Sequence, residues 1–262
     1  MKKKLILTAT VIGALFYSCK KDSPNTTNTN NNNNTSTTTV MAKDSSTQSG
    51  SPNSTEVREF FYNSSKVLVK VKFKYGTSTT YTNYDTIIYN GSGQISTVNS
   101  YSPSGLSTYS LSSTTTYNYT SGNLTSVVGP RDTLTLVYTG GKITTIYQAQ
   151  QGNSSIDTIT SITYTGSNAT SLVYDGTAAT AVIDITASNP YYGGYFAFSS
   201  SDFTNLLNQN NMTSAYATAN SSMVLTTRTY TYSTSNRVIT KVETDNSGTP
   251  KTTTTYITYE SL

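Results

Sequence analysis

One unit recurs through most of the chain: a tyrosine, a short Gly/Asn/Ser segment, then two aliphatic residues separated by two others. It reads IIYNGSGQISTV, YNYTSGNLTSV, LVYTGGKITTI, ITYTGSNATSL and YTYSTSNRVITKV, with the tyrosine at positions 89, 119, 138, 164 and 232. Gly and Asn tolerate the positive φ of tight hairpin turns. Tyrosine and β-branched threonine pack well on pleated surfaces. Each unit is therefore strand, turn, strand. The irregular spacing predicts a meander with varied loops rather than a strict solenoid. DNSGTP, at 245–250, reads as one more hairpin turn before the last strand, TTTTYITY.

The stretch KVLVKVKFKY supports the same architecture. Val67, Val69, Val71, Phe73 and Tyr75 alternate with Lys66, Lys70, Lys72 and Lys74. Period-two alternation marks a strand with one apolar and one solvated face. The lysines read as solvating an outer face or guarding a sheet edge. The predicted fold is all-β: a curved antiparallel meander, an open roll or half-barrel. One segment breaks the rhythm, SNPYYGGYFAF followed by SSSDFTNLLNQNN. A Ser cap, Phe203, Leu206 and Leu207 at helical spacing, and a terminal Asn predict a short helical insertion around 188–212. Tyr191, Tyr192, Tyr195 and Phe196 stand there beside Gly193 and Gly194. They are the candidate ligand surface, because irregular segments on a rigid sheet tend to carry function.

Absent residue types exclude whole classes of chemistry. There is no histidine among 262 residues, which removes Ser-His-Asp triads, histidine bases and histidine metal ligands. A single cysteine forms no internal disulfide and no zinc ribbon. No metal or cofactor is expected. The net charge of +4 includes Lys2, Lys3 and Lys4. Without those three the chain is close to neutral and carries no electrostatic footprint for nucleic acid.

The three lysines precede an apolar run from Leu5 to Tyr17, which ends just before Cys19. That run is far short of the roughly 20 residues a membrane-spanning helix needs, and has the length of a signal-peptide core. The segment resembles a bacterial lipoprotein signal. The resemblance implies removal of residues 1–18, lipidation of Cys19 and a membrane partner reached through the anchor. Stable anchoring takes more than one acyl chain. Beyond Cys19, residues up to 56 are rich in Asn, Thr and Ser and read as a disordered tether. A β-sheet domain is expected from Val57 to Leu262.

SCKKD followed by an Asn/Thr/Ser tract is similar to the start of lipoproteins of the Bacteroidota. The aromatic, Leu-bearing insertion looks like one found in β-rich members of that group. The tyrosine units resemble the YD repeats of Rhs-type proteins, although Asn90, Thr120, Thr139, Thr165 and Ser233 stand where those repeats place Asp. The resemblance implies hairpin geometry and an exported envelope protein in the outer membrane, on its periplasmic face or at the cell surface. A glycan or envelope protein is the implied partner class, and the role is non-catalytic binding or structural. The alternative is a carboxylate-dependent glycan hydrolase. Its candidate pairs are Glu56 with Glu59, Asp175 with Asp184, and Glu243 with Asp245, since glycosidases need two carboxylates about 5–10 Å apart. Finally, Asp85, Asp132 and Asp157 precede Thr86, Thr133 and Thr158 in Asp-Thr-aliphatic triplets. These resemble the O-glycosylation acceptors of exported Bacteroidota proteins, or else the Asp residues are turn formers at strand starts.

Overall fold

The structure, a computed structural model, describes residues 38–49, 54–105, 108–150, 156–174, 177–189, 207–208, 210–217, 220–246 and 249–262. Sixteen strands follow one another in the chain. They are β1 (Thr39–Gln48), β2 (Glu56–Tyr62), β3 (Leu68–Tyr75), β4 (Asn83–Tyr89), β5 (Ile95–Pro103) and β6 (Tyr109–Thr120). Next come β7 (Asn123–Val128), β8 (Asp132–Thr139), β9 (Lys142–Gln150), β10 (Ile156–Thr165) and β11 (Asn168–Tyr174). The last five are β12 (Thr177–Ser188), β13 (Asn210–Ala217), β14 (Asn220–Tyr232), β15 (Val238–Asp245) and β16 (Lys251–Ser261). Each strand pairs antiparallel with its neighbours in sequence, and β1 pairs with β16, so the meander closes into a barrel.

The expected curved, all-β antiparallel meander is what forms, and its curvature runs as far as β1 joining β16 on one side and β2 on the other. One boundary is corrected by β1. That strand lies within residues 19–56, read above as tether, so the folded domain begins by Thr39 and not at Val57. Most of the expected helical insertion lies outside the described residues. Within its bounds, Ser188 ends β12 and Asn210–Met212 begin β13, so both margins are strand.

The recurring unit has a physical explanation at each position. Two of its tyrosines, Tyr89 and Tyr164, reach back to an earlier hairpin, as do Tyr62 and Tyr259 elsewhere in the barrel. Tyr89 Oη donates to the Leu68 carbonyl at 2.7 Å, Tyr164 to Ile143 at 2.9 Å and Tyr259 to Val238 at 3.0 Å, each 21 residues away. Tyr62 Oη does the same to Met41 at 2.8 Å. Each such bond contributes about 1 kcal/mol net and ties one hairpin to the next.

The turn follows. Ser121 and Gly122 have φ of 52° and 83°, and Gly140 and Gly141 have 59° and 78°. Positive φ at both central residues is the type I′ geometry that matches strand twist.

The aliphatic pair is three apart, which an unbroken strand would put on opposite faces. In the first four units a β-bulge absorbs the extra residue and returns both side chains to the interior. Shifts fall between Asn118 and Tyr119 and between Val137 and Tyr138. Leu124 and Val127 are accordingly both fully buried. In four of the five units the residue after the first aliphatic is Ser or Thr, for a reason too. The hydroxyls of Ser96, Thr125, Thr144 and Thr170 donate to the carbonyls of Ile88, Asn118, Val137 and Thr163 across the bulge.

A round barrel of sixteen strands would leave an aqueous channel. Here Val71, Leu124 and Val127 are 0% exposed, and one apolar cluster collects residues from β1 to β11, β15 and β16. These inward side chains are therefore covered by other side chains rather than lining a water-filled channel. The outer faces are rich in hydroxyls. On β6, Ser112, Thr114, Thr116 and Asn118 face outward, and on β14 Thr227, Thr229 and Thr231 do. Membrane-spanning barrels have the opposite polarity, an apolar outer band about 25 Å tall around a polar interior. Exposed Ile88, Val137 and Tyr256 are interleaved with Thr and Ser rather than joined into such a band.

Candidate functional site

Charge inside the barrel gathers on one wall, at the end away from the tyrosine turns. Alternation puts Arg228 of β14, Lys241 and Glu243 of β15, Thr255 of β16, Asp44 and Ser46 of β1, and Glu56 and Arg58 of β2 on the inner face. Register brings them side by side: Arg228 opposite Glu243, Lys241 opposite Thr255, and Asp44 opposite Arg58.

Two arginine forks organise this band. Arg58 Nε and Nη2 donate to the two Asp44 oxygens at 2.8 and 2.5 Å, and Glu56 lies 3.6 Å from Arg58 Nε. Arg228 binds both oxygens of Glu243 at 3.0 and 3.4 Å, and Lys241 adds a third contact at 3.1 Å. Between the forks, Ser46 Oγ and the buried Thr255 hydroxyl share a hydrogen bond of 2.8 Å. Bidentate geometry of this kind gives the firmest ion pairs. Buried charge is tolerated here because each fork is matched to a carboxylate.

Glu56 differs from the other acids. Burial raises its pKa above the ordinary 4.5, the Arg58 guanidinium opposes that rise, and the Asp44 carboxylate adds to it. The Tyr75 hydroxyl, also on the inner face, is pushed up to about 12 by burial and then by Glu56 and Asp85. A raised folded pKa favours the protonated form, so the Glu56 contribution is fully present below pH 4.5 and is lost as pH rises through the folded value. Glu56→Gln should therefore stabilise the protein at pH 7, and the gain should vanish below pH 4. Thermal unfolding of both proteins across that range measures it.

A hydrolase needs two carboxylates that a substrate can reach. Asp44 is 1% exposed and fully engaged by Arg58. Of the expected pairs, Glu56 and Glu59 are not brought together. Glu59 lies on the outer face of β2, in register with Lys72 and Lys43, while Glu56 faces inward. Asp184 pairs in register with Asn211, and Asp175 lies outside the described residues. Glu243 and Asp245 share the inner face of β15, but Glu243 is held by two cations. Among the described residues, no three His, Cys, Asp or Glu side chains are grouped to hold a metal.

The other sequence candidates divide by location. Cys19 and the aromatic residues Tyr191, Tyr192, Tyr195 and Phe196 lie outside the described residues. Thr86 and Thr133 are outward members of β4 and β8, and Thr158 sits in β10 opposite Tyr147. Asp85 and Asp132, read as possible turn residues, are instead buried on the inner face. The inner band escaped the sequence reading. Its one signal was the alternation of EVREF, which puts Glu56 and Arg58 on the same face as buried Phe60.

No family model matches the chain, and no curated protein does. A porin-like protein from Bacteroides uniformis, known from its crystal structure, superposes with a TM-score of 0.48 at 18% identity. The match covers 84% of this chain and 98% of that one. A likeness that distant carries no argument about this chain.

Proposed function

We propose that this chain is an exported cell-envelope protein, held in the outer membrane by acyl chains on Cys19, with a non-catalytic binding or structural role. The observation that carries the reading is polarity. Among the described residues an apolar cluster and a paired charged band fill the inner face, and the exposed apolar side chains are interleaved with hydroxyls on the outer strands, which supports membrane attachment through a separate device. The lysine-led apolar run ending at Cys19 supplies one. The self-neutralised inner band supports a structural rather than catalytic use of its charges. Outward placement of Thr86 and Thr133 supports O-glycosylation at Asp-Thr-aliphatic triplets, Thr158 completing the set.

Metabolic labelling with an alkynyl fatty acid tests the anchor. The wild type should incorporate label, and Cys19→Ala should lose all of it. Labelling of the Ala variant at the wild-type level would refute the anchor.

A further inference from the structure

The outer wall formed by β3 to β6 carries cations that the fold does not neutralise. Lys70, Lys72 and Lys74 share the outward face of β3, two residues and hence about 7 Å apart. Among the described residues none of the three takes part in an ion pair. Each instead rests on an aromatic ring. Lys70 Nζ lies 3.9 Å from the centre of Tyr84, Lys72 Nζ 4.8 Å from Phe61 and from Tyr81, and Lys74 Nζ 4.4 Å from Tyr81. The platform is itself braced: Tyr84 stacks on Tyr101 at 4.6 Å, and Tyr109 Oη donates to the Tyr81 carbonyl at 2.9 Å. Partial burial and then the neighbouring Lys72 hold the Lys70 pKa below its ordinary value. The acid nearest in register is Glu59, opposite Lys72 and also opposite Lys43.

We infer that this wall binds an acidic polysaccharide along the row of lysines. Ring contacts hold the ammonium groups in place before a ligand arrives, which lowers the ordering cost of binding. Cations at a regular spacing of about 7 Å suit an extended polymer with repeating negative charge rather than a single anion. The neighbouring outward groups, Thr86, Asn99 and Thr114, offer the hydrogen bonds that sugar hydroxyls require. A nucleic acid would need open ring faces for its bases. Tyr84 is covered by Lys70 on β3 and stacked with Tyr101, so it offers none. The preference for a glycan polymer also rests on the export reading, whereas the binding assay below is independent of Cys19.

The test uses the full-length protein in mild non-ionic detergent with fluorescent polygalacturonate. Competitors are dextran of matched length, a single-stranded oligonucleotide and soluble short-chain phosphatidylglycerol. Polygalacturonate should bind at low salt and weaken as salt rises, and dextran should not compete. The triple variant Lys70→Gln, Lys72→Gln, Lys74→Gln should lose roughly tenfold or more in affinity, since each exposed pair contributes up to about fivefold. Arg131→Gln, at an exposed loop between β7 and β8, should bind as wild type does. Affinity of the triple variant within twofold of wild type, equal binding of dextran, or no binding of polygalacturonate at low salt would overturn the proposal. Tighter binding of the oligonucleotide or of phosphatidylglycerol would overturn it equally.

Discussion

Arg58→Ala is expected to destabilise the barrel by about 3–5 kcal/mol, the range for a buried ion pair that loses one partner. The side chain removed is the fork that grips both Asp44 oxygens. What remains is a carboxylate 1% exposed on the inner face of β1. Paying back that charge is not possible by solvation, because the wall around it is packed. Replacing both partners with apolar residues, Asp44→Leu with Arg58→Met, should recover most of the loss. A double variant of apolar residues removes the desolvation penalty together with the attraction. Denaturant unfolding of the single and double variants gives the comparison. Equal loss in both would mean that the pair matters through packing alone.

Ser45→Pro should cost about 3 kcal/mol or more, or prevent folding. A proline inside a strand removes a ladder hydrogen bond, and prolines are otherwise confined to edges and bulges. Ser45 has no free edge, since it pairs with Tyr256 of β16 on one side and Val57 of β2 on the other. If residues 38–49 were a tether, the substitution would leave the midpoint unchanged. Chemical denaturation separates the two outcomes directly.

That strand also shows what the sequence could and could not disclose. The hairpins were legible because their signals are local: a tyrosine, a residue able to take positive φ, then aliphatics. Gly122, Gly140 and Gly141 take those φ values. The three-residue aliphatic spacing was visible too, although its cause, a bulge in each hairpin, depends on the pairing of two strands. Closure was not legible. The inward residues of β1 are Met41, Asp44, Ser46 and Gln48, so the strand shows no apolar alternation against a background of Asn, Thr and Ser. Its polar face is explained only by Arg58 and Thr255 on the strands beside it. A strand that lines a charged wall looks like a linker when read alone. The inner band was hidden for the same reason, because its hydrogen-bonded partners Ser46 and Thr255 are 209 positions apart in the chain.

The central proposal is that the barrel packs an apolar cluster beside a paired charged band within, carries hydroxyl-rich strands without, and owes its membrane attachment to the segment ending at Cys19. Detergent phase partitioning of a chain lacking residues 1–19 tests it most directly. The account predicts a folded, cooperatively unfolding protein recovered in the aqueous phase without detergent. Recovery of the folded protein in the detergent-rich phase would contradict it, since the barrel wall itself would then be the membrane-binding surface.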